Sequence, residues 1–295
     1  MKFRSIVLVL LNFLRDGSGS LPVVTWHGVN NNAAGNEDVV RALKDVIPDL
    51  HVVNVMIGEN NEVDKWNSVL MTAANQVEYV CRVIKGDPLL ANGYNAVGVS
   101  QGGLMIRGLA QRCPDPPMKT LVTYGAPSNG IFGVPDCLSA TESYALCELV
   151  RQILAAAAYD PDLQDMVAPA QYWRDPLNHT NFIEGSHFLA DINNMKEEKN
   201  PEYKEIISNL DNFVMIKWEN DETIIPRESS HFGFYVLGQD DITEPLEATK
   251  MYTEDWLGLR VLNESGRLHA FTIPGGHMDM HFSWFKETVV KPFLV

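Results

Sequence analysis

Ser100 stands in Gly98-Val99-Ser100-Gln101-Gly102, between an apolar run, Gly93 to Val99, and a helical stretch, Leu104 to Arg112. A serine on a sharp strand-to-helix turn projects its hydroxyl above the sheet, where it can attack a carbonyl carbon. The flanking glycines relieve the crowded backbone of such a turn. The helix start aims backbone N–H groups at the point where an oxyanion would form. A plain Gly-Ser turn is the bland alternative, so the chemistry needs partners: two N–H donors, an acid and a base. The amide of Gln101 is the first donor. The second is expected upstream, in the loop His27-Gly28-Val29-Asn30-Asn31, where Gly28 lets the chain turn and the Val29 amide can face the serine.

The acid and base are expected downstream, at strand ends. Asn212 to Trp218 reads as a strand that delivers Glu219, Asp221 and Glu222. Asp221, past the strand and before Ile224-Ile225-Pro226, is the preferred acid; Glu219 and Glu222 compete. Among the later histidines, His231 lies in an aromatic stretch and His269 inside an alternating strand, Leu268 to Ile273. His277 follows that strand through Pro274-Gly275-Gly276, on a loop from which an imidazole can reach the serine. His281 opens the last helix. The His277/His281 spacing is that of a metal pair, but no glutamate follows the first histidine as in zinc proteases, so no metal is expected. His27 precedes the serine, the wrong order for a base here, and is read as structural.

These side chains need a scaffold. Leu21 to Gly28, His51 to Ile57, Gly93 to Val99, Lys119 to Tyr124 and Asn212 to Trp218 are apolar runs alternating with helical patterns. That alternation predicts a mostly parallel sheet with right-handed crossovers. Trp66, Val69, Leu70, Ala73, Val77, Val80, Cys81 and Ile84 predict one face of a single long helix, packed on the core. From about 128 to 212 the regularity lapses for longer than a crossover needs, which predicts an inserted, mostly helical cap. Ser, Asp and His in that order, on an α/β sheet with a cap, are the pattern of an α/β-hydrolase fold in one domain over 21–295.

With 295 residues and 45 % hydrophobic content the chain can bury a large core. Lys+Arg 23 against Asp+Glu 38 gives a net charge of −15, which disfavours nucleic acid and anionic lipid as partners. Residues 1–20 combine a basic start, a short apolar run from Ile6 to Leu14 and small residues, the pattern of a signal peptide; no later run is long enough to span a bilayer. Asn178 and Asn263 head glycosylation sequons. Four cysteines, Cys81, Cys113, Cys137 and Cys147, allow three pairings, or four free thiols in a reducing compartment. Cys137 and Cys147 suit a short-loop staple, which would leave Cys81 for Cys113.

Trp26-His27-Gly28, Gly93 to Gly103, Ala110 to Pro114, Phe188 to Asn193, Phe213 to Asp221, Phe232 to Tyr235, Tyr252 to Leu259 and Gly276-His277 together resemble the palmitoyl-protein thioesterase family, in its lysosomal type 1 form. The resemblance covers nearly all of the chain after residue 20. It implies hydrolysis of long-chain acyl thioesters on protein cysteines and on acyl-CoA, lysosomal delivery, glycosylation, and no metal or organic cofactor. It places the family's catalytic residues on Ser100, Asp221 and His277 and favours disulfides Cys81–Cys113 and Cys137–Cys147. Gly276 stands where the family carries an acidic residue, Leu104-Met105-Ile106 replaces a more polar helix start, and Asn30-Asn31-Asn32 occupies the region of a third cysteine pair. These departures bear on substrate preference, not on the chemistry. The competing readings are a secreted lipase or carboxylesterase on oxygen esters, the shorter-acyl type 2 sister activity, and a hydrolase fold kept as a binding protein.

Overall fold

The computed structural model describes residues 20–133 and 156–295. The leader expected over 1–20, apart from Ser20, and Cys137 and Cys147 lie outside the described residues. Six strands form one parallel sheet: β1 (Val23–Trp26), β2 (Val52–Asn54), β3 (Tyr94–Val99), β4 (Met118–Tyr124), β5 (Asn212–Trp218) and, after a two-stranded antiparallel ribbon of β6 (Phe234–Tyr235) and β7 (Thr243–Glu244), β8 (Leu268–Ile273). Their order is β2-β1-β3-β4-β5-β8. Both faces of the sheet are covered, so the central strands read as continuous apolar runs. Successive side chains go to opposite layers: Phe213 and Met215 join one cluster, Val214, Ile216 and Trp218 the other.

One layer holds α1 (Glu37–Val46) and the C-terminal helical segment, through Leu43, Phe285, Val289 and Val290. The opposite layer holds α3 (Ala73–Gly86) and α4 (Gln101–Arg112), through Val77, Val80, Ile84, Leu104 and Leu109. The disulfide Cys81–Cys113 joins α3 to the residue that caps α4, 32 positions apart. This is the α/β-hydrolase architecture expected from the sequence. β1 lies between β2 and β3, so the chain reverses its direction of travel across the sheet there. Such a reversal opens a crevice at the strands' C-terminal ends. β1 delivers the loop after Trp26 to that crevice, and β3 delivers Ser100 beside it, with Trp26 paired to Gly98.

The single long helix expected around residues 66–84 is two helices. α2 (Asn61–Leu70) ends at an extended Met71, and Thr72 starts α3 by accepting a hydrogen bond from the Asn75 amide. Trp66 and Leu70 are exposed, at 59 % and 55 %. α2 instead turns Asp64 and Ser68 inward. Its inner face meets backbone amides of the loop after β1 rather than an apolar layer, so polar side chains are the ones buried.

Between β4 and β5 the described chain runs through short helices, Pro161–Gln164, Ala168–Tyr172, His179–Gly185, Leu189–Ile192 and Pro201–Ser208. Arg107, 1 % exposed, pins this segment to α4. Its guanidinium donates to Gln111 Oε1 and Ile192 O at 3.0 Å, Ser128 O at 3.1 Å and Asn193 Oδ1 at 2.6 Å. Among the described residues no helix is long and apolar enough to cross a membrane.

Candidate active site

Ser100 has φ 53° and ψ −129°, a left-handed conformation that a side chain adopts only under constraint. The constraint is close packing. A Cβ at Gly102 would lie 2.2 Å from Trp26 O, so only glycine lets α4 start this near β1. A Cβ at Gly28 would lie 3.0 Å from Ser100 Cβ, which shows how tightly the loop after β1 presses on the serine. The Ser100 amide donates to Tyr124 O at 2.7 Å.

Ser100 Oγ lies 2.9 Å from His277 Nε2, and His277 Nδ1 lies 2.8 Å from Asp221 Oδ2. With Nδ1–H donating to the carboxylate, Nε2 is free to accept the serine proton. Asp221 has a fully buried side chain and accepts the amides of Thr223 and Ile224, both at 2.9 Å, through Oδ1. These bonds fix the carboxylate in place beside His277 Nδ1. The competitors are elsewhere. Glu219 is exposed and makes no side-chain bond to a histidine among the described residues. His231 Nε2 donates to Phe271 O, His269 meets Asn212 Oδ1, and His281 turns to Pro274 O.

His27 forms a second, wholly buried histidine–carboxylate pair. Its Nε2 lies 3.1 Å from both Asp64 oxygens, and its Nδ1 lies 2.9 Å from Gly28 O. Asp64 also accepts the amides of Ile57 at 2.7 Å and Ala33 at 2.8 Å. The Asn30 amide donates to Ser68 Oγ at 2.9 Å. α2 therefore holds both ends of the loop that carries Val29. Gln101 is fixed as well: its Nε2 donates to Ser68 O at 2.7 Å, and its Oε1 accepts from Tyr172 at 3.0 Å. Sequence reasoning missed Asp64, Ser68 and Tyr172. The polar pair at i, i+4 on an otherwise apolar-looking helix was the available signal.

Ser100, Gln101 and Val29 open onto a cavity of about 310 Å³. Ile131, Leu163, Val167, Trp173 and Ile224 give it an apolar wall. A pocket of this kind holds a chain by burial and leaves orientation to the few polar groups at one end. The arrangement can deliver a serine oxygen to a carbonyl carbon whose substituent lies in an apolar groove. Asn178 and Asn263, the sequon residues, are both exposed; Asn178 caps helix His179–Gly185, and Asn263 Nδ2 donates to Tyr252 Oη at 2.7 Å.

The chain matches the family model described as palmitoyl protein thioesterase over residues 22–277. It is 36 % identical to palmitoyl-protein thioesterase 1 of Caenorhabditis elegans, covering 100 % of both chains. It is 36 % identical to palmitoyl-protein thioesterase 3 of Dictyostelium discoideum, over 93 % of this chain and 91 % of that one. It is 30 % identical to the lysosomal thioesterase PPT2 homolog of Drosophila melanogaster, again over 100 % of both. With a match that runs from the first strand to the histidine of the Ser100 site, the chain belongs to the palmitoyl protein thioesterase family.

Proposed function

We propose that the protein hydrolyses long-chain acyl thioesters, of protein cysteines and of coenzyme A, with Ser100 as nucleophile, His277 as base and Asp221 as its orienting acid. The observation that carries this is Ser100 Oγ, 2.9 Å from His277 Nε2 and lining the mouth of an apolar cavity. The acyl chain lies in that cavity and the thioester carbonyl sits over Ser100. His277 takes the hydroxyl proton as Oγ bonds to the carbonyl carbon. The Val29 and Gln101 amides hold the oxyanion. The C–S bond then breaks, and the thiol leaves with the proton from His277. Water, deprotonated by His277, releases the fatty acid from Ser100 and restores the hydroxyl.

Asp221 keeps the imidazole in the tautomer that presents Nε2 to the serine. The described residues 158–173 act as part of a cap that excludes water from the acyl chain. A signal peptide over 1–20, the Cys81–Cys113 disulfide and exposed sequons at Asn178 and Asn263 support a secretory route, and the lysosome is the proposed destination. Comparing purified protein on palmitoyl-CoA and a palmitoyl oxygen ester tests the substrate class. The thioester is expected to be cleaved faster; a preference for the oxygen ester would replace this reading with a lipase or carboxylesterase.

A further inference from the structure

A second cavity, of about 640 Å³, opens in the wall formed by residues 174–179, 195–199 and 236–256. It shares no lining residue with the Ser100 cavity. Arg174, His179, Lys199 and Lys250 face it, a gathering of basic groups in a chain of net charge −15. Two acids are also present and in part engaged. Glu254 accepts from Trp256 Nε1 at 2.9 Å and lies near Lys199, and Glu244 lies near Arg174. Among the described residues neither Arg174 nor Lys250 makes an ion pair.

Arg174 is the unusual member, because it is only 7 % exposed. Its guanidinium stacks 4.2 Å from the Phe234 ring, and Nη1 makes one long bond, 3.4 Å, to Asn129 O. Among the described residues Nε is buried without a hydrogen-bond partner, as is His179 Nδ1. Burial lowers the guanidinium only to about 10, so it remains a cation at neutral and acid pH. Glu244 is near, but among the described residues no carboxylate makes an ion pair with this buried cation, which an added anion would therefore stabilise. Beside it the cavity offers an apolar surface, Met195, Met251 and Trp256. A planar guanidinium beside a lysine point charge suits the several oxygens of a tetrahedral anion.

We propose that this cavity binds a phosphate ester, its anionic head between Arg174 and Lys250 and its organic part against Met251 and Trp256. The shared chemistry fits a nucleotide phosphate or a lipid headgroup. Calorimetric titration of the full chain with phenyl phosphate tests it, with phenyl glucoside as the neutral control. Phenyl phosphate is expected to bind saturably and the glucoside not to bind. Lys250→Gln should weaken binding about tenfold, the usual loss for one charge-assisted bond, and Arg174→Gln should weaken it further. Lys250 is exposed, so Lys250→Gln tests the site even where Arg174→Gln fails to fold. Ser100→Ala should bind phenyl phosphate as wild type does, which separates this result from the hydrolase reading. Displacement by coenzyme A would assign a nucleotide ligand, and displacement by glycerophosphoinositol a lipid headgroup. The absence of saturable heat, or equal affinity in wild type and Lys250→Gln, would overturn the proposal.

Discussion

The indole of Trp218 meets the imidazole of His277 edge-on, with ring centroids 5.0 Å apart. Trp218 Nε1 donates to Asp279 O at 3.0 Å, so the last residue of β5 also ties down the loop that carries His277. Within that loop Asp279 Oδ2 accepts the Gly276 amide at 2.8 Å. Trp218→Phe keeps an aromatic wall and loses the hydrogen bond. A loosened base costs orientation more than binding. We expect kcat on palmitoyl-CoA to fall about tenfold with KM nearly unchanged. An unchanged kcat would show that the loop is held without Trp218.

Asp64 bonds His27, Ala33 and Ile57 at once, around the loop that presents Val29. Asp64→Ala would leave those donors buried and unpaired. Stability should fall by about 3 kcal/mol, and kcat should fall because the proposed oxyanion donor is no longer fixed. Asp64→Asn, which keeps one acceptor, should lie between. Urea unfolding and steady-state kinetics on the three proteins give the order.

Arg107 supplies donors to Ile192 O, Ser128 O and Asn193 Oδ1 from within the core. Arg107→Met fills much of the same volume and takes the donor from Asn193 Oδ1, while Ile192 O keeps Gln111 Nε2 and Ser128 O keeps Asn193 Nδ2. The expected loss is about 3 kcal/mol, seen as a lower urea midpoint. A midpoint equal to that of the wild type would mean that Asn193 Oδ1 finds another donor.

His231 sets a pH dependence of stability. Burial, and then Lys217 beside it, lower its imidazole from the ordinary 6.5 to about 4. As pH falls, the unfolded chain takes up this proton first, so the folded state loses stability between about 6.5 and 4. Above that window the contribution is complete. The full loss is about 3 kcal/mol at most. His231→Gln removes this proton from both states, so its unfolding free energy should fall less between pH 7 and pH 4.5 than that of wild type. Parallel curves for the two proteins would contradict the assignment.

The sheet was legible because β3, β4 and β5 are buried on both faces and show as unbroken apolar runs. Ser100 and Asp221 each follow such a run, and His277 follows the alternating strand β8; the structure brings the three within hydrogen-bond reach. The orientation of α2 was not. Its apolar spacing favours burying Trp66 and Leu70, but the amides of the loop after β1 need acceptors, and Asp64 and Ser68 supply them. Nor could sequence pair Gln101 with Tyr172, or Arg107 with Asn193, since the partners are 71 and 86 positions apart. Such bonds follow from the packing of residues 168–193 on α4, which leaves no local pattern.

The most direct test traps the acyl-enzyme. Protein turning over palmitoyl-CoA is quenched in acid, digested and analysed by mass spectrometry. The peptide that carries Ser100 should bear a palmitoyl ester, and Ser100→Ala should show neither the adduct nor turnover. An adduct on another residue, or turnover retained in Ser100→Ala, would contradict the assignment of Ser100 as nucleophile.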